Sequence, residues 1–158
     1  MKTIEISVNK MAVYDEVAKI TSYEAIKNAT DDMAAAYDRI FTKDDDRLLL
    51  ERFFADAANY STAAIRRYVS QKNDVSFSGY VDLTKNFVVS LKVEENFGEI
   101  AFLSNMFLSL FVNYIVAEWY KISNPDRAAI YISDTEYCAK EILRLLCYRS
   151  QPIRIVKK

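Results

Sequence analysis

The residue types that most often carry chemistry in proteins are scarce in this sequence. There is no histidine, which excludes Ser-His-Asp and Cys-His catalysis, histidine-ligated metal centres and Glu-x-x-His di-iron sites. There are only two glycines, and neither G-x-x-x-x-G-K nor G-x-G-x-x-G occurs. Phosphate-binding loops built from backbone amides are therefore excluded as well. We expect no catalytic, metal-binding or cofactor-binding residues.

A pair of carboxylates remains the one route to acid–base catalysis. Glu118 stands beside Trp119 at the end of a long apolar run, and its partner would be Glu99 or Glu141. Nothing in the spacing sets the distance between these groups. We favour a helix-end ion pair for Glu118, with Lys121 or with an arginine of the last helix. An enzyme is therefore the third of our three functional hypotheses.

Two clusters of like charge have structural explanations. Asp44, Asp45 and Asp46 lack the spacing and the glycine of a calcium loop, and three carboxylates in a first helical turn interact favourably with the helix dipole. Arg66 and Arg67 lie near the predicted end of that helix, where the dipole favours cations. We predict neither cluster to be a ligand site.

The two cysteines and the N-terminus indicate the cellular compartment. Cys138 and Cys147 are nine residues apart on one predicted helix, which places them about half a turn out of phase. They cannot bridge each other there, and we expect both to be reduced core residues. The first residues lack the apolar segment of a secretion signal, which predicts a cytoplasmic protein.

The chain is organised around a predicted helix at about residues 97–123. Asn96 and Glu99 have the spacing of a capping box that starts it. Its polar residues recur at every fourth position, at Asn105, Ser109 and Asn113. A helix that is apolar on its other sides is surrounded by protein or by lipid. Because a membrane span needs about 20 apolar residues in a row, we predict a core helix and no membrane.

Further helices are predicted from periodicity and capping signals. They run from Asn9 to about Asn28 with a restart at Thr21, from Thr30 to about Phe41, from Thr42 to about Tyr68, and from Pro125, capped by Asn124, to Pro152.

Alternation of apolar and polar residues predicts the strands. Thr3–Val8 is a half-buried strand, residues 77–94 read as a β-hairpin, and Ile153–Val156 is a final short strand. The fold class is therefore α+β: a mostly helical single domain, residues 1–158, around the central buried helix. Its small antiparallel sheet combines the N-terminal strand, the hairpin and the C-terminal strand.

Composition favours protein–protein contacts over nucleic-acid binding. The net charge of −1 lacks the basic excess of a nucleic-acid binder. Residues 1–60 carry a net −4 and residues 61–158 a net +3, a polarity that steers copies head to tail or merely reflects two solvated faces. The eleven tyrosines suit an interface equally well as the boundary of the core.

The C-terminal residues are the predicted interaction site. They are Ile153, Arg154, Ile155, Val156, Lys157 and Lys158. A neighbouring chain easily extends an unpaired strand edge, and the cationic side chains add electrostatic attraction.

Four segments carry a resemblance to a known family. They are Asn9–Asn28 with its core Val-Tyr-Asp-Glu-Val-Ala-Lys-Ile-Thr, Arg47–Phe54, Ala117–Ile122 and Cys147–Arg149. Together they resemble small proteins encoded in the virion-structure gene clusters of prophages from intestinal anaerobes. The resemblance implies a non-enzymatic virion component near the head–tail junction or in tail completion. Because these are packing motifs, no site residue is carried over.

We therefore expect a phage-derived structural protein that forms homo-oligomers or docks into a larger ring as a subunit, cytoplasmic or, as a phage component, part of the virion. The alternative is a cytoplasmic adaptor or regulatory module that binds one host or phage protein. Concentration-dependent assembly favours the first hypothesis, and a monomer that captures a single partner favours the second.

Overall fold

The computed structural model describes residues 1–27 and 44–147. In these two ranges the chain forms four helices and one three-stranded antiparallel sheet. The elements in chain order are β1 (Lys2–Val8), α1 (Lys10–Lys27), α2 (Asp44–Ala64), β2 (Val69–Lys72), β3 (Phe87–Val93), α3 (Ile100–Ser123) and α4 (Pro125–Cys147). The α+β class with a mostly helical composition is confirmed.

The sheet has the strand order β1-β3-β2, with β3 in the middle. β1 is paired with β3 along its whole length, from Lys2 opposite Val93 to Val8 opposite Phe87. The side chains that alternate toward the helices are all buried: Ile4, Ile6, Val8, Phe87, Val89, Leu91 and Val93. The period-2 pattern of β1 and β3 thus supplies one apolar face, as the sequence predicts.

The predicted hairpin at 77–94 is wrong in its first half. The strand that pairs with β3 on this side is β2, and residues 73–86 form an irregular loop. Gly79 has a φ of +84°, a left-handed conformation that interrupts the alternating run. The loop is closed by Asn73, whose amide nitrogen donates to the Asn86 carbonyl oxygen (2.7 Å) and whose amide oxygen accepts from the Val88 N–H (2.8 Å).

Two predicted helix starts are also wrong. α1 continues through Thr21, whose hydroxyl donates to the Val17 carbonyl oxygen 2.9 Å away instead of capping a new helix. α3 begins at Ile100, and Glu99 occupies its N-cap position without a capping side-chain hydrogen bond. Pro125 is the first residue of α4, as predicted.

Several predicted features lie outside the described residues. They are the helix from Thr30, the start of the next helix at Thr42, and the strand Ile153–Val156. The first described turn of α2 contains Asp44, Asp45 and Asp46, as the capping interpretation requires.

α3 is the central helix of the domain. It packs against α1, α2, α4 and β1. Its fully buried side chains include Leu103, Phe107, Leu110, Phe111, Ile115, Val116 and Tyr120. By length and composition alone the helix would be able to cross a membrane. Its packing partners on several sides instead make it the core helix of this domain.

Three phenylalanines connect the layers at the centre of the core. The Phe111 ring of α3 lies 5.0 Å from the Phe54 ring of α2 and 5.2 Å from the Phe87 ring of β3, measured between ring centroids. All three side chains are fully buried. Their tilted contacts join two helices and the sheet at one point.

Replacing Phe111 by alanine should lower the free energy of unfolding by about 3–5 kcal/mol, because the removed ring leaves a cavity between α2, α3 and the sheet. Urea unfolding followed by circular dichroism measures the loss. Phe102→Ala on the same helix is the matched control, since its side chain is 45% exposed, and it should cost less than about 1 kcal/mol. Equal losses in the two variants would contradict the orientation of α3.

Candidate functional site

A buried cluster of Lys10, Tyr14 and Glu51 is the most concentrated polar feature inside the domain. Lys10 and Tyr14 lie one turn apart on α1, and Glu51 faces them from α2. The Lys10 Nζ donates to Glu51 Oε2 at 2.8 Å, and the Tyr14 hydroxyl donates to Glu51 Oε1 at 2.7 Å. The two charged side chains are only 4% and 7% exposed. An ion pair and a phenol therefore lie together in the apolar interior of the domain.

The irregular loop at 73–86 is attached to this cluster. Lys10 Nζ also donates to the carbonyl oxygen of Asp82 at 2.8 Å, and the Lys10 backbone N–H donates to Asn86 Oδ1 at 3.0 Å. The ammonium further lies 5.0 Å from the centre of the Phe54 ring. A cavity of about 120 Å³ remains between the loop and the cluster. Lys10 therefore joins α1, α2 and the loop.

The chemistry open to this cluster is limited by its own hydrogen bonds. Burial, followed by the hydrogen bond and the charge of Glu51, raises the pKa of Tyr14 far above its ordinary value, so the phenol stays neutral and donates. Both carboxylate oxygens of Glu51 already accept hydrogen bonds, whereas a general base needs an oxygen within reach of a substrate proton. The arrangement is suited to holding the loop in place.

A second feature, which we term the tyrosine groove, lies between α2, α3 and α4. Its volume is about 260 Å³. Its wall includes Tyr60, Tyr114, Glu118, Lys121, Ile132 and Glu136. The rings of Tyr60 and Tyr114 are 5.5 Å apart with an interplanar angle of 39°. The groove thus presents aromatic faces with carboxylates beside them.

The wall of the tyrosine groove contains two carboxylates, Glu118 and Glu136, and one cation, Lys121, so its formal charge is negative. Burial, and then the charges of Glu118 and Asp56, raises the pKa of Tyr114 to about 12. Burial, and then the charge of Glu136, raises the pKa of Tyr60. Glu118 is bound to Lys121 at 2.5 Å, so its predicted helix-end ion pair is confirmed. Glu136 and Asp56 form no ion pair with any described residue.

The six residues predicted to form the interaction site cannot be compared with this geometry. Ile153, Arg154, Ile155, Val156, Lys157 and Lys158 all lie outside the described ranges. Within residues 1–27 and 44–147, no three Asp, Glu or Cys side chains are grouped so as to hold a metal ion.

The cysteines differ from each other in their surroundings. Both are free thiols, and Cys138 is buried as predicted. Cys147 is exposed, so its predicted place in the core is wrong. It lies in the last described turn of α4, and its Sγ is 3.0 Å from the hydroxyl of Tyr68. The nine-residue spacing places the two thiols on opposite sides of α4, and Cys138 is on the side that is buried together with Ile142 and Leu146.

Sequence reasoning missed the buried cluster. Lys10 and Glu51 are 41 positions apart, and no local motif joins them. One signal was nevertheless present, since Glu51 lies among Leu50, Phe53 and Phe54 on the apolar stripe of α2. A carboxylate on a buried helix face needs a buried partner, which the pattern alone does not identify.

No family model matches the chain, and no curated protein or solved structure is similar enough to it to count as a match. The functional argument therefore depends on the geometry of the chain itself.

Replacing Glu51 by glutamine should lower the free energy of unfolding by about 3–5 kcal/mol, because the Lys10 ammonium would be left buried without a counter-charge. Combining it with Lys10→Met should recover part of the loss, since no buried charge then remains. The control is Glu16→Gln, which breaks an exposed pair with Lys19 and should change stability by less than about 0.5 kcal/mol.

Hydrogen exchange tests the link between the cluster and the loop in the same variants. Amides of residues 73–86 should exchange faster in Lys10→Met than in the parent chain, because the loop loses the ammonium that holds Asp82. Unchanged exchange in the loop, with a loss of global stability, would mean that the cluster serves the core alone.

Proposed function

We propose that this chain is a non-enzymatic, phage-derived virion component that works by assembling with copies of itself or with neighbouring virion proteins. Its place is near the head–tail junction or in tail completion. The observation that carries the assembly part of this proposal is the outer edge of β1, which no strand in residues 1–27 and 44–147 covers.

β1 is an outer strand of the sheet in the described part of the chain, and all seven of its residues are available there to pair with a strand of another chain. It runs for seven residues and, among the described residues, pairs on one side only, with β3. The other outer strand, β2, has four residues and a register shift between Val69 and Gln71, which makes it a poorer template. A long edge strand exposes unpaired N–H and C=O groups that a strand of another chain can satisfy. β1 is therefore the edge that supports assembly.

Exposed apolar side chains add to the available contact surface. Ile130 and Tyr137 on α4 are 64% and 61% exposed, and Tyr23 and Ile26 on α1 are 71% and 61% exposed. Large side chains of this kind are enriched at protein interfaces, where tyrosine buries its ring and still finds a hydrogen-bond partner. They support a protein that functions through contact with other proteins.

The buried cluster supports the non-enzymatic part of the proposal. Lys10 and Glu51 are the buried charged residues of the described part of the chain, and together with Tyr14 they form a hydrogen-bonded cluster of a kind that often marks an active site. Here their hydrogen bonds are directed at one another and at the loop. Structural ion-pair networks give the same signature, and the geometry favours that explanation.

The location of the chain is tested by peptide mass spectrometry of purified particles from an induced culture of the native host. We expect a few to a few tens of copies per particle, and the copy number would indicate the ring symmetry. Particles that form without the chain would overturn the structural role. Recovery with a single soluble partner would support an adaptor in its place.

Removal of residues 152–158 should weaken self-association more than it weakens folding, because these residues offer a strand-forming segment and three cations to a neighbour. Sedimentation velocity over a concentration series measures association, and urea unfolding of the same variant measures stability. A loss of cooperative unfolding would show instead that these residues belong to the core of their own chain.

A further inference from the structure

We propose that the tyrosine groove receives the basic C-terminal segment, residues 148–158, of a neighbouring copy of this chain. The inference rests on the proposed self-assembly and adds to it a specific receptor surface and a specific occupant.

The groove has the chemistry of a site for a cationic side chain. The rings of Tyr60 and Tyr114 pack against each other with their centroids 5.5 Å apart, and both side chains are partly exposed. An arginine or lysine side chain interacts favourably with an exposed aromatic face. Glu136 at the rim is exposed and has no ion-pair partner among the described residues. Glu118 and Asp56 add negative charge close to the Tyr114 hydroxyl. A guanidinium can stack on a ring and bind a carboxylate at once.

The size of the groove favours a side chain over a small molecule. Its volume of about 260 Å³ is below the roughly 300–1,000 Å³ of ordinary small-molecule sites. The wall also contains Ile132, which is 36% exposed and offers an apolar contact beside the charges. An occupant with alternating cationic and apolar residues would match both kinds of surface.

Residues 148–158 have that composition. The segment contains four basic residues and no acidic one, and between the basic residues it places three large aliphatic side chains. The basic residues are Arg149, Arg154, Lys157 and Lys158, and the aliphatic ones are Ile153, Ile155 and Val156. The basic residues complement the carboxylates of Glu118 and Glu136 in the groove.

The direction of α4 favours a groove on another copy. Glu136 and Ile132 lie in the middle of α4, and the helix then continues for eleven residues from Glu136 to Cys147, or about 16 Å. The last described residue of α4 therefore lies about 16 Å along the helix from its own groove. A neighbour placed head to tail can present its groove closer to this end of α4.

Charge reversal in the full-length chain tests the proposal. Glu136→Lys and Arg154→Glu should each weaken self-association by about tenfold or more in sedimentation velocity, and the double variant should recover most of the loss. Asp134→Lys is the matched control. It makes the same charge change at an exposed position of α4, about 200° around the helix from Glu136, and should leave association unchanged. Glu136→Gln, a milder change, should give a smaller loss in the same direction.

Cross-linking identifies the occupant. A photoreactive benzoylphenylalanine in place of Tyr60, in a mixture of ¹⁴N- and ¹⁵N-labelled full-length protein, should give links to residues 148–158 that join the two labels. Links within one label only would overturn the proposal in favour of a contact inside one chain. Links to another segment would overturn it as well.

The outcomes separate this inference from the proposed function. If the parent chain self-associates and Glu136→Lys associates equally well, the groove is not the receptor, and the proposal of self-assembly remains supported. If the parent chain is monomeric at every concentration, self-assembly and the groove contact fail together. Thermal unfolding of each variant confirms that only folded protein is compared.

Discussion

The apolar circumference of α3 is the constraint on which the other elements depend. Leu103, Phe107, Phe111 and Ile115 are fully buried, and a helix with so much apolar surface is stable in water only when other elements cover it. α1, α2, α4 and the sheet supply that cover. The contact of Phe111 with the rings of α2 and β3 shows how closely the layers meet. The positions of the surrounding helices and of the sheet follow from this need for cover.

The Lys10–Glu51 pair links three parts of the chain through buried charges. Removing two charges from water costs several kcal/mol per ion, and the cost is offset only when each charge has a partner in good geometry. Here the ammonium, the Tyr14 hydroxyl and the Asp82 carbonyl all meet near one carboxylate. Because the partners come from α1, α2 and the loop at 73–86, the pair selects the arrangement in which all three are correctly placed.

The surface has a different organisation from the interior. The buried charges of Lys10 and Glu51 are paired with each other. Within the described residues, by contrast, the outer edge of β1 has no partner strand and the exposed carboxylate of Glu136 has no ion-pair partner. The proposed assembly rests on these exposed groups. In that proposal the carboxylates of the tyrosine groove complement the basic C-terminal segment of a neighbouring copy, and complementary charge is a property that sets the direction and register of association.

Much of the fold was determined by local sequence patterns. The alternation of Ile4, Ile6 and Val8 produced β1, Pro125 marked the start of α4, and the apolar run after Ile100 produced the central helix. These signals act within a few residues, through side-chain periodicity and backbone geometry, so they can be read without knowing the neighbours. The composition of the chain is likewise known from the sequence alone, and the absence of histidine removes one of the side chains most used in catalysis.

Tertiary contacts decided the rest. The run at 77–83 alternates like a strand, yet β2 occupies the place beside β3 because Asn73 and Asn86 close the loop and Gly79 turns the backbone. The apolar stripe of α2 contains Glu51, but its partner Lys10 is identified only when α1 and α2 bring the two side chains within 2.8 Å. Tyr60 and Tyr114 become one surface only when α2 packs on α3. Pairing between distant residues depends on the packing of whole elements, and that packing is set by the combined burial of many side chains rather than by any local motif.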